Sequence, residues 1–345
     1  MPVTEGIRTY FLILGKSCNL QCIYCHQGED KPLFSPCREQ DIPALDTVAE
    51  YFPKEGNYHI VLYGGEPMLY WNFIVPFVEL MKERNPRVSF SMPTNGTLLT
   101  VEISKKINEL GINVGLSHDG KYFEQTRKTK DILLVNPDPY LTLKNRSISA
   151  VASRINPDFY DIWEYFEDFK IENGLQSREH VLIQVVKDVE GNTPNNLLIN
   201  NMPEYELMLD RVFDNLYKDI INEKFDGYEF MQCIPLIKTL NYRLKSPTVK
   251  GVWCGADTQV CHIDVYGNMF PCHNASTSIG NRKDIGIHAG GYNPNINDEK
   301  CVNCRAYTIC GGGCPMASPE NRESMCYTMY QQISRLMDML EKLKG

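Results

Sequence analysis

The chain has 345 residues, a net charge of −8, 43% hydrophobic residues and 23% charged residues. That length fits roughly two domains, or one large α/β domain with an appendage, and the apolar share suffices for a substantial core. The negative balance speaks against nucleic acid as the main partner, since phosphate binding needs a basic face, and no apolar stretch approaches the roughly 18 residues that span a membrane.

Met1–Tyr10 is polar, and the apolar run Phe11–Leu14 is too short for the core of a signal peptide. A cytoplasmic location is therefore expected. Thiols stay reduced there, so the thirteen cysteines point to metal rather than to disulfides.

Strand-like runs come first at Thr9–Leu14, then at His59–Tyr63, Val88–Pro93, Ile112–Ser117, Ser147–Ala152 and Val181–Val186. Helical periodicity fills the intervals at Asp41–Tyr51, Phe73–Arg84, Val101–Leu110, Asp158–Glu172 and Tyr205–Glu223. Strands alternating with helices predict a parallel sheet with right-handed crossovers. Six such units close only partway, so the expected class is α/β, a partial (β/α)6 TIM-like barrel. Its active face lies at the C-terminal ends of the strands.

Gly191–Pro203 and Lys245–Gly251 read as breaks. From Trp253 onward cysteine, glycine and asparagine dominate, which predicts a small cysteine-rich domain folded around metal. Helical period returns over Tyr327–Leu343 through Ile333, Leu336, Leu340 and Leu343. The expected division is a barrel over 1–230, a linker over 231–252, and the cysteine-rich domain with a C-terminal helix over 253–345.

Cys18, Cys22 and Cys25 follow the first strand as Cys-x3-Cys-x2-Cys. Thiolates so placed hold three corners of a cubane iron–sulfur cluster and leave the fourth iron open to activate a small molecule. A structural zinc site completed by His26 is the alternative.

This run, with Tyr24 directly before the third cysteine, resembles the radical S-adenosylmethionine (SAM) enzymes. Gly64-Gly65-Glu66-Pro67 after the second strand is similar to the GGEP segment of that family. Thr94-Asn95-Gly96 and Ser117-His118-Asp119-Gly120 end the third and fourth strands in the family's order. The resemblance implies a [4Fe–4S] cluster on Cys18, Cys22 and Cys25 with SAM at its open iron. One-electron cleavage then yields methionine and a 5′-deoxyadenosyl radical that abstracts hydrogen from the substrate. It also implies that Gly64, Gly65 and Glu66, closed by Pro67, contact the methionine amino group. Tyr24 lies near the adenine, Ser117 and Arg127 reach the ribose or carboxylate, and Thr94, Asn95 and Asp119 belong to the same cofactor-binding set. On the residues alone, paired glycines allow close backbone approach and a carboxylate accepts from an ammonium group. Both motifs are also ordinary turns.

The C-terminal pattern is Cys254-x12-Gly267-x4-Cys272, then Cys301-x2-Cys304-x5-Cys310-x3-Cys314, then Cys326. It resembles the SPASM extension of radical SAM enzymes that act on peptides and proteins. That implies two auxiliary [4Fe–4S] clusters, making three in all. By resemblance Cys254, Cys261, Cys272 and Cys314 hold the nearer one, and Cys301, Cys304, Cys310 and Cys326 the farther. Cys37 and Cys233 remain as packed thiols. A zinc ribbon from the Cys301/Cys304 and Cys310/Cys314 pairs is the alternative. Gly311–Gly313 lets the chain turn sharply between ligands. Full cysteine ligation leaves no open iron and favours electron relay.

Two groups carry this extension. One converts a Cys or Ser of a sulfatase into formylglycine, and typically shows Gln before GGEP and Asp after the third cysteine of the nearer cluster. Here Tyr63 and His273 stand at those positions. His273 becomes a candidate general base, and His118 a candidate substrate contact at its strand end. The other group cross-links ribosomally made peptides, and many of its members carry an N-terminal leader-binding domain. A first cluster cysteine at residue 18 leaves no room for one. The expected partners are a peptide or protein substrate, a separate leader-binding protein and an external flavodoxin- or ferredoxin-type electron donor. Intrapeptide cross-linking is the expected activity. Formylglycine formation and a non-enzymatic metal-bound scaffold are the alternatives. Tyr160–Phe169 reads as core, His59, His180 and His288 show no partner, and the charges near Arg322 and Lys342 read as solvated helix faces.

Overall fold

The computed structural model describes residues 9–27, 42–245, 259–285, 298–318 and 322–344. Its strands are β1 (Thr9–Ile13), β2 (His59–Tyr63), β3 (Ser89–Thr94), β4 (Ile112–Ser117), β5 (Arg146–Ala152), β6 (Val181–Val185), β7 (Val260–Asp264), β8 (Asn268–Phe270) and β9 (Gly280–Asn281). The principal helices are α1 (Leu45–Ala49), α2 (Trp71–Arg84), α3 (Val101–Leu110), α4 (Phe123–Arg127), α5 (Phe159–Glu172), α6 (Pro203–Ile221), α7 (Tyr228–Lys245) and α8 (Arg322–Lys342). The six predicted strands and the helices between them appear where the periodicity places them. This is the α/β class of the partial barrel, followed by a cysteine-rich region.

The chain divides into two compact units, one drawn from Met1–Ser117, Phe123–Ser147 and Gly255–Gly291, the other from His118–Tyr122, Ile148–Cys254 and Tyr292–Gly345. In the first, β1 lies between β2 and β7 and is parallel to both. β3 and β4 continue the parallel order beyond β2, and β8 and β9 add antiparallel beyond β7. Alternate strand residues point to one face, where Tyr10, Leu12, Ile60, Leu62, Phe90, Met92, Val114 and Leu116 are buried. Phe73, Ile74, Phe77, Val78 and Met81 give α2 its buried stripe. Thr100 caps α3 by accepting from the Ile103 amide at 3.2 Å.

Strands β7–β9 lie within the region expected to fold around metal, yet they extend this sheet. Their apolar alternation is hidden because Cys261, which reads as a ligand, and the polar His262 sit in the strand. Residues 231–245, expected to be linker, belong to α7. Pro235 inside it disguises the helix, although Tyr228, Cys233 and Leu236 are buried along it. Burial, then the nearby Glu229, pushes the Cys233 thiol up to about 12.

In the second unit β5 and β6 pair in parallel from Ile148 opposite Val181. Phe159, Ile162, Trp163, Phe166 and Phe169 of α5 are buried, so the aromatic run is core. Helix α8 starts before the predicted Tyr327 and packs on α6. Tyr327 donates to Glu206 at 2.7 Å, Gln332 to Tyr205 at 2.7 Å, and Arg335 pairs with Asp210 at 2.7 Å. Among the described residues no helix is long and apolar enough to cross a membrane.

Candidate active site

The cysteine loop leaves the end of β1 and is seated on the end of β2. The Leu14 amide donates to the Tyr63 carbonyl at 2.8 Å, Gly65 to Gly15 at 2.9 Å and Glu66 to Ser17 at 2.9 Å. A Cβ on Gly64 would lie 2.7 Å from the Gly15 oxygen, and one on Gly65 2.3 Å from the Ser17 oxygen. The glycine pair is thus the seat on which the strand leading into Cys18 rests, and its amides at 65 and 66 are engaged there. Cys18 is buried, with Cys22 and Cys25 half-buried. The Ile23 amide donates to the Thr126 carbonyl of α4 at 2.9 Å. That fixes Tyr24 beside Arg127, whose guanidinium lies 5.6 Å from the Tyr24 ring centre. Both side chains are buried.

Glu66 is 1% exposed, and its carboxylate is already used. Oε1 accepts from the Met68 amide at 3.0 Å and Thr94 Oγ1 at 2.6 Å, and Oε2 from the Asn95 amide at 2.8 Å. Burial raises its pKa, while the three donors and Arg127 oppose that shift. The expected ammonium acceptor is therefore first a tie between β2 and β3, and it caps the turn Pro67–Tyr70. Asn19, next to Cys18, closes a ring with the end of β3. Its Nδ2 donates to Thr97 Oγ1 at 2.7 Å, Thr97 Oγ1 to Asn95 Oδ1 at 2.6 Å, and Asn95 Nδ2 back to Asn19 Oδ1 at 2.8 Å. Asn19 and Thr97 are missing from the predicted site. Their one sequence signal is a short polar side chain between two ligand cysteines and another just after an Asn-Gly turn.

On the sheet face opposite Tyr10, Phe11 stacks flat on His273 with ring centres 4.3 Å apart. Tyr63 meets the same imidazole edge-on at 4.6 Å, and His262 approaches it at 5.3 Å. The Tyr63 hydroxyl donates to Asn274 Oδ1 at 2.8 Å. Burial, then the Cys272 and Cys25 thiols, holds that hydroxyl above the usual phenol range. Tyr63, His273, Cys25 and Cys272 therefore share one neighbourhood. Cys261 does not join them. It pairs with Tyr10 in the register of β1 and β7, whereas His262 pairs with Phe11, and register partners share a face. Cys261 is fully buried beside Tyr10, and burial pushes its thiol up to about 12. Cys254 lies outside the described residues, and so does Cys37.

Ser117 ends β4 in the first unit, half-buried. In the second unit His118 is fully buried. Its Nδ1 accepts from the Gly120 amide at 3.1 Å, and its ring packs on Tyr165 and Phe166 with centres 5.2 and 5.5 Å away. His118 is therefore held at its strand end by ring packing and by the Gly120 amide. Asp119 accepts from the Val151 amide at 2.8 Å, which ties the segment to β5.

Cys314 is half-buried in the same unit. Cys301, Cys304, Cys310 and Cys326 lie there too, with Cys310 near Cys326 and Cys301, and Cys326 near Cys301 and Cys304. Burial, then the charges of Cys326 and Cys301, pushes Cys310 up to about 11, while the Gly313 and Gly312 amides donate to its sulfur. Cys326 is raised by burial first and then by Cys301 and Cys304, against Arg322. Gly311, Gly312 and Gly313 have φ of 64°, 90° and 81°, a left-handed run that glycine adopts readily. Arg322, read as a solvated residue, donates to Cys301 Sγ at 3.1 Å. Four thiols with amide and guanidinium donors match the chemistry of an iron–sulfur cluster, and the three-thiol loop with its close-packed glycine seat fits an incompletely ligated one.

The family model of the radical SAM superfamily matches residues 12–133. Over those residues the chain carries a radical SAM domain. It is 23% identical over 338 residues to a cysteine-type anaerobic sulfatase-maturating enzyme of Clostridium novyi, covering 86% of this chain and 85% of that one. It is 24% identical over 348 residues to the radical SAM cyclopropyl synthase TigE of Paramaledivibacter caminithermalis, covering 90% and 68%. The solved structure of native anSMEcpe with bound AdoMet shares the fold at a TM-score of 0.71 and 18% identity, covering 98% of this chain and 100% of that one. The same protein with AdoMet and the Cp18Cys peptide gives 0.67 at 19%, covering 98% and 99%.

Proposed function

We propose that this enzyme abstracts a hydrogen atom from a ribosomally made peptide and joins two of its residues in an intrapeptide cross-link. Cys18, Cys22 and Cys25 would hold the cluster, with SAM at its open iron. Bound together, these groups supply one-electron carbon–sulfur cleavage and hydrogen-atom abstraction. The chain's own residues position them. The glycine seat and the Asn19–Asn95–Thr97 ring fix the loop, Tyr24 and Arg127 flank the adenine and carboxylate, and Glu66 keeps β2 and β3 in register. Cys301, Cys304, Cys310 and Cys326 would hold an auxiliary cluster that passes electrons to or from an external one-electron donor.

The observation that carries the cross-linking reading is the Tyr63–His273 contact at 4.6 Å. The two positions where the sulfatase group carries Gln and Asp touch in this fold and hold a phenol and an imidazole. Neither is a carboxylate base, and the Tyr63 hydroxyl is a committed donor to Asn274. The similarity over 90% of the chain to TigE, a cyclopropyl synthase, supports a reaction that closes a new carbon–carbon bond.

Formylglycine formation has its own support in the likeness to the Clostridium novyi enzyme and to anSMEcpe over most of both chains. Co-expression with the small open reading frames beside the gene separates the two. A peptide lighter by two hydrogens and free of aldehyde supports cross-linking. An aldehyde on a co-expressed sulfatase, with unmodified peptides, replaces it by formylglycine formation.

A further inference from the structure

Arg322 opens α8 four residues before Cys326, and its three nitrogens face different surroundings. Nη2 donates to Cys301 Sγ at 3.1 Å. Nη1 pairs with Asp298 Oδ2 at 3.2 Å. Nε is buried and has no protein partner among the described residues. A guanidinium is always charged and presents its donors in a rigid fork. Here one arm rests on a candidate ligand sulfur, one is anchored by a carboxylate, and one donor is buried and left over. Asp298 is itself fixed, since its Oδ1 accepts from the Lys300 amide at 2.9 Å.

We propose that Arg322 sets the reduction potential of the iron–sulfur cluster held by Cys301, Cys304, Cys310 and Cys326. This rests on the reading that those four thiols hold a [4Fe–4S] cluster. Reduction adds one electron and no proton, so the cluster gains one unit of negative charge. A cation on a ligand sulfur stabilises the reduced form more than the oxidised form and raises the potential. Asp298 acts with the opposite sign. It holds the guanidinium in place, and its charge also disfavours the reduced cluster. The Gly312 and Gly313 amides at Cys310 act in the same direction as Arg322, though as dipoles rather than a full charge.

The test uses the full chain, purified anaerobically and titrated with dithionite as the one-electron source, with electron paramagnetic resonance reporting each cluster. Iron and sulfide content is measured alongside. Cys304→Ala identifies the signal that belongs to this site. If no signal and no iron is lost in that variant, the four-thiol reading itself fails. With the signal identified, Arg322→Gln is expected to lower the reduced-to-oxidised ratio at fixed potential about tenfold, equivalent to about 59 mV for a one-electron couple. Asp298→Asn, which keeps the side-chain acceptor for Lys300, is expected to move the midpoint upward. A merely structural role for the pair would shift both variants the same way or not at all. An unchanged midpoint in fully loaded Arg322→Gln overturns the proposal. Should that variant lose iron, Arg322→Met carries the test. It keeps much of the length without the charge, and its midpoint is expected below wild type; an unchanged one overturns the proposal equally.

Discussion

The loop of Cys18, Cys22 and Cys25 and the group of Cys301, Cys304, Cys310 and Cys326 are both built to present sulfur, and they are supported in different ways. The first rests on a glycine seat, the Asn19–Asn95–Thr97 ring and the buried Glu66 carboxylate, with Arg127 against Tyr24. The second receives a guanidinium on one sulfur and two amides on another. A site that leaves one iron free for a ligand needs its loop held rigid without blocking that position. A closed site has no ligand to admit, and its partners instead govern the cost of adding an electron. On the proposed reading, the difference in scaffolding separates a reactive centre from an electron store.

The largest effect that could break this contrast comes from removing the first thiols. Alanine at Cys18, Cys22 and Cys25 together is expected to reduce 5′-deoxyadenosine formation, with dithionite and SAM, to background. Iron bound by the other thiols should remain. Continued cofactor cleavage in the triple variant would exchange the roles of the two regions.

A second test addresses the glycine seat. Alanine at Gly65 forces a Cβ to within 2.3 Å of a backbone oxygen of the loop, where no side chain can swing aside. Overpacking of this kind costs about 3 kcal/mol, and the loop should lose its cluster with it. Gly56 has φ of 98° with nothing within 4 Å of an added Cβ. Gly56→Ala therefore carries backbone strain alone, about 1–2 kcal/mol, and should retain full iron. Denaturant midpoints and iron content of the two variants measure the difference.

Much of this was legible in the sequence where local pattern and structure coincide. The strands alternate in period two, and the Cys-x3-Cys-x2-Cys loop follows the first of them. The GGEP segment meets that loop, and its glycines let the two backbones approach closely. What the sequence hides lies where a residue's type says one thing and its surroundings add another. Cys261 reads as a ligand, and β7 sets it beside Tyr10 on the packed face. His118 reads as a site residue, and its ring and Nδ1 are engaged by packing and by Gly120. Arg322 looks solvated because its partner Cys301 is distant in sequence. Long-range pairing decides all three, and no periodicity encodes it.

A third prediction concerns pH. Burial pushes His262 down to about 4, against about 6.5 in an unfolded chain. Between those values the unfolded chain binds a proton that the folded chain refuses, so stability falls as the pH drops through that window. At about pH 5 the loss amounts to about 2 kcal/mol. His262→Phe keeps a ring against Phe11 and removes the titration. Its denaturant midpoint should change less than wild type between about pH 7 and about pH 5. An identical acid limb would place the sensitive group elsewhere.

The smallest effect is the sharpest probe of how the reactive loop is held. Asn19→Ala removes no thiol and leaves the glycine seat intact. It opens the ring by deleting the acceptor of Asn95 Nδ2 and the donor to Thr97 Oγ1. Water can reach part of this network, so the expected cost is about 1 kcal/mol, the scale of one or two net hydrogen bonds. Asn95 still reaches Glu66 through its amide, so β3 should keep its place while the loop gains freedom. The rate of 5′-deoxyadenosine formation should fall by about tenfold, since a small displacement of a reacting group is costly. The signal of the four-thiol site should not change. A variant that loses stability but cleaves SAM at the wild-type rate would make the ring a structural brace with no part in aligning the loop.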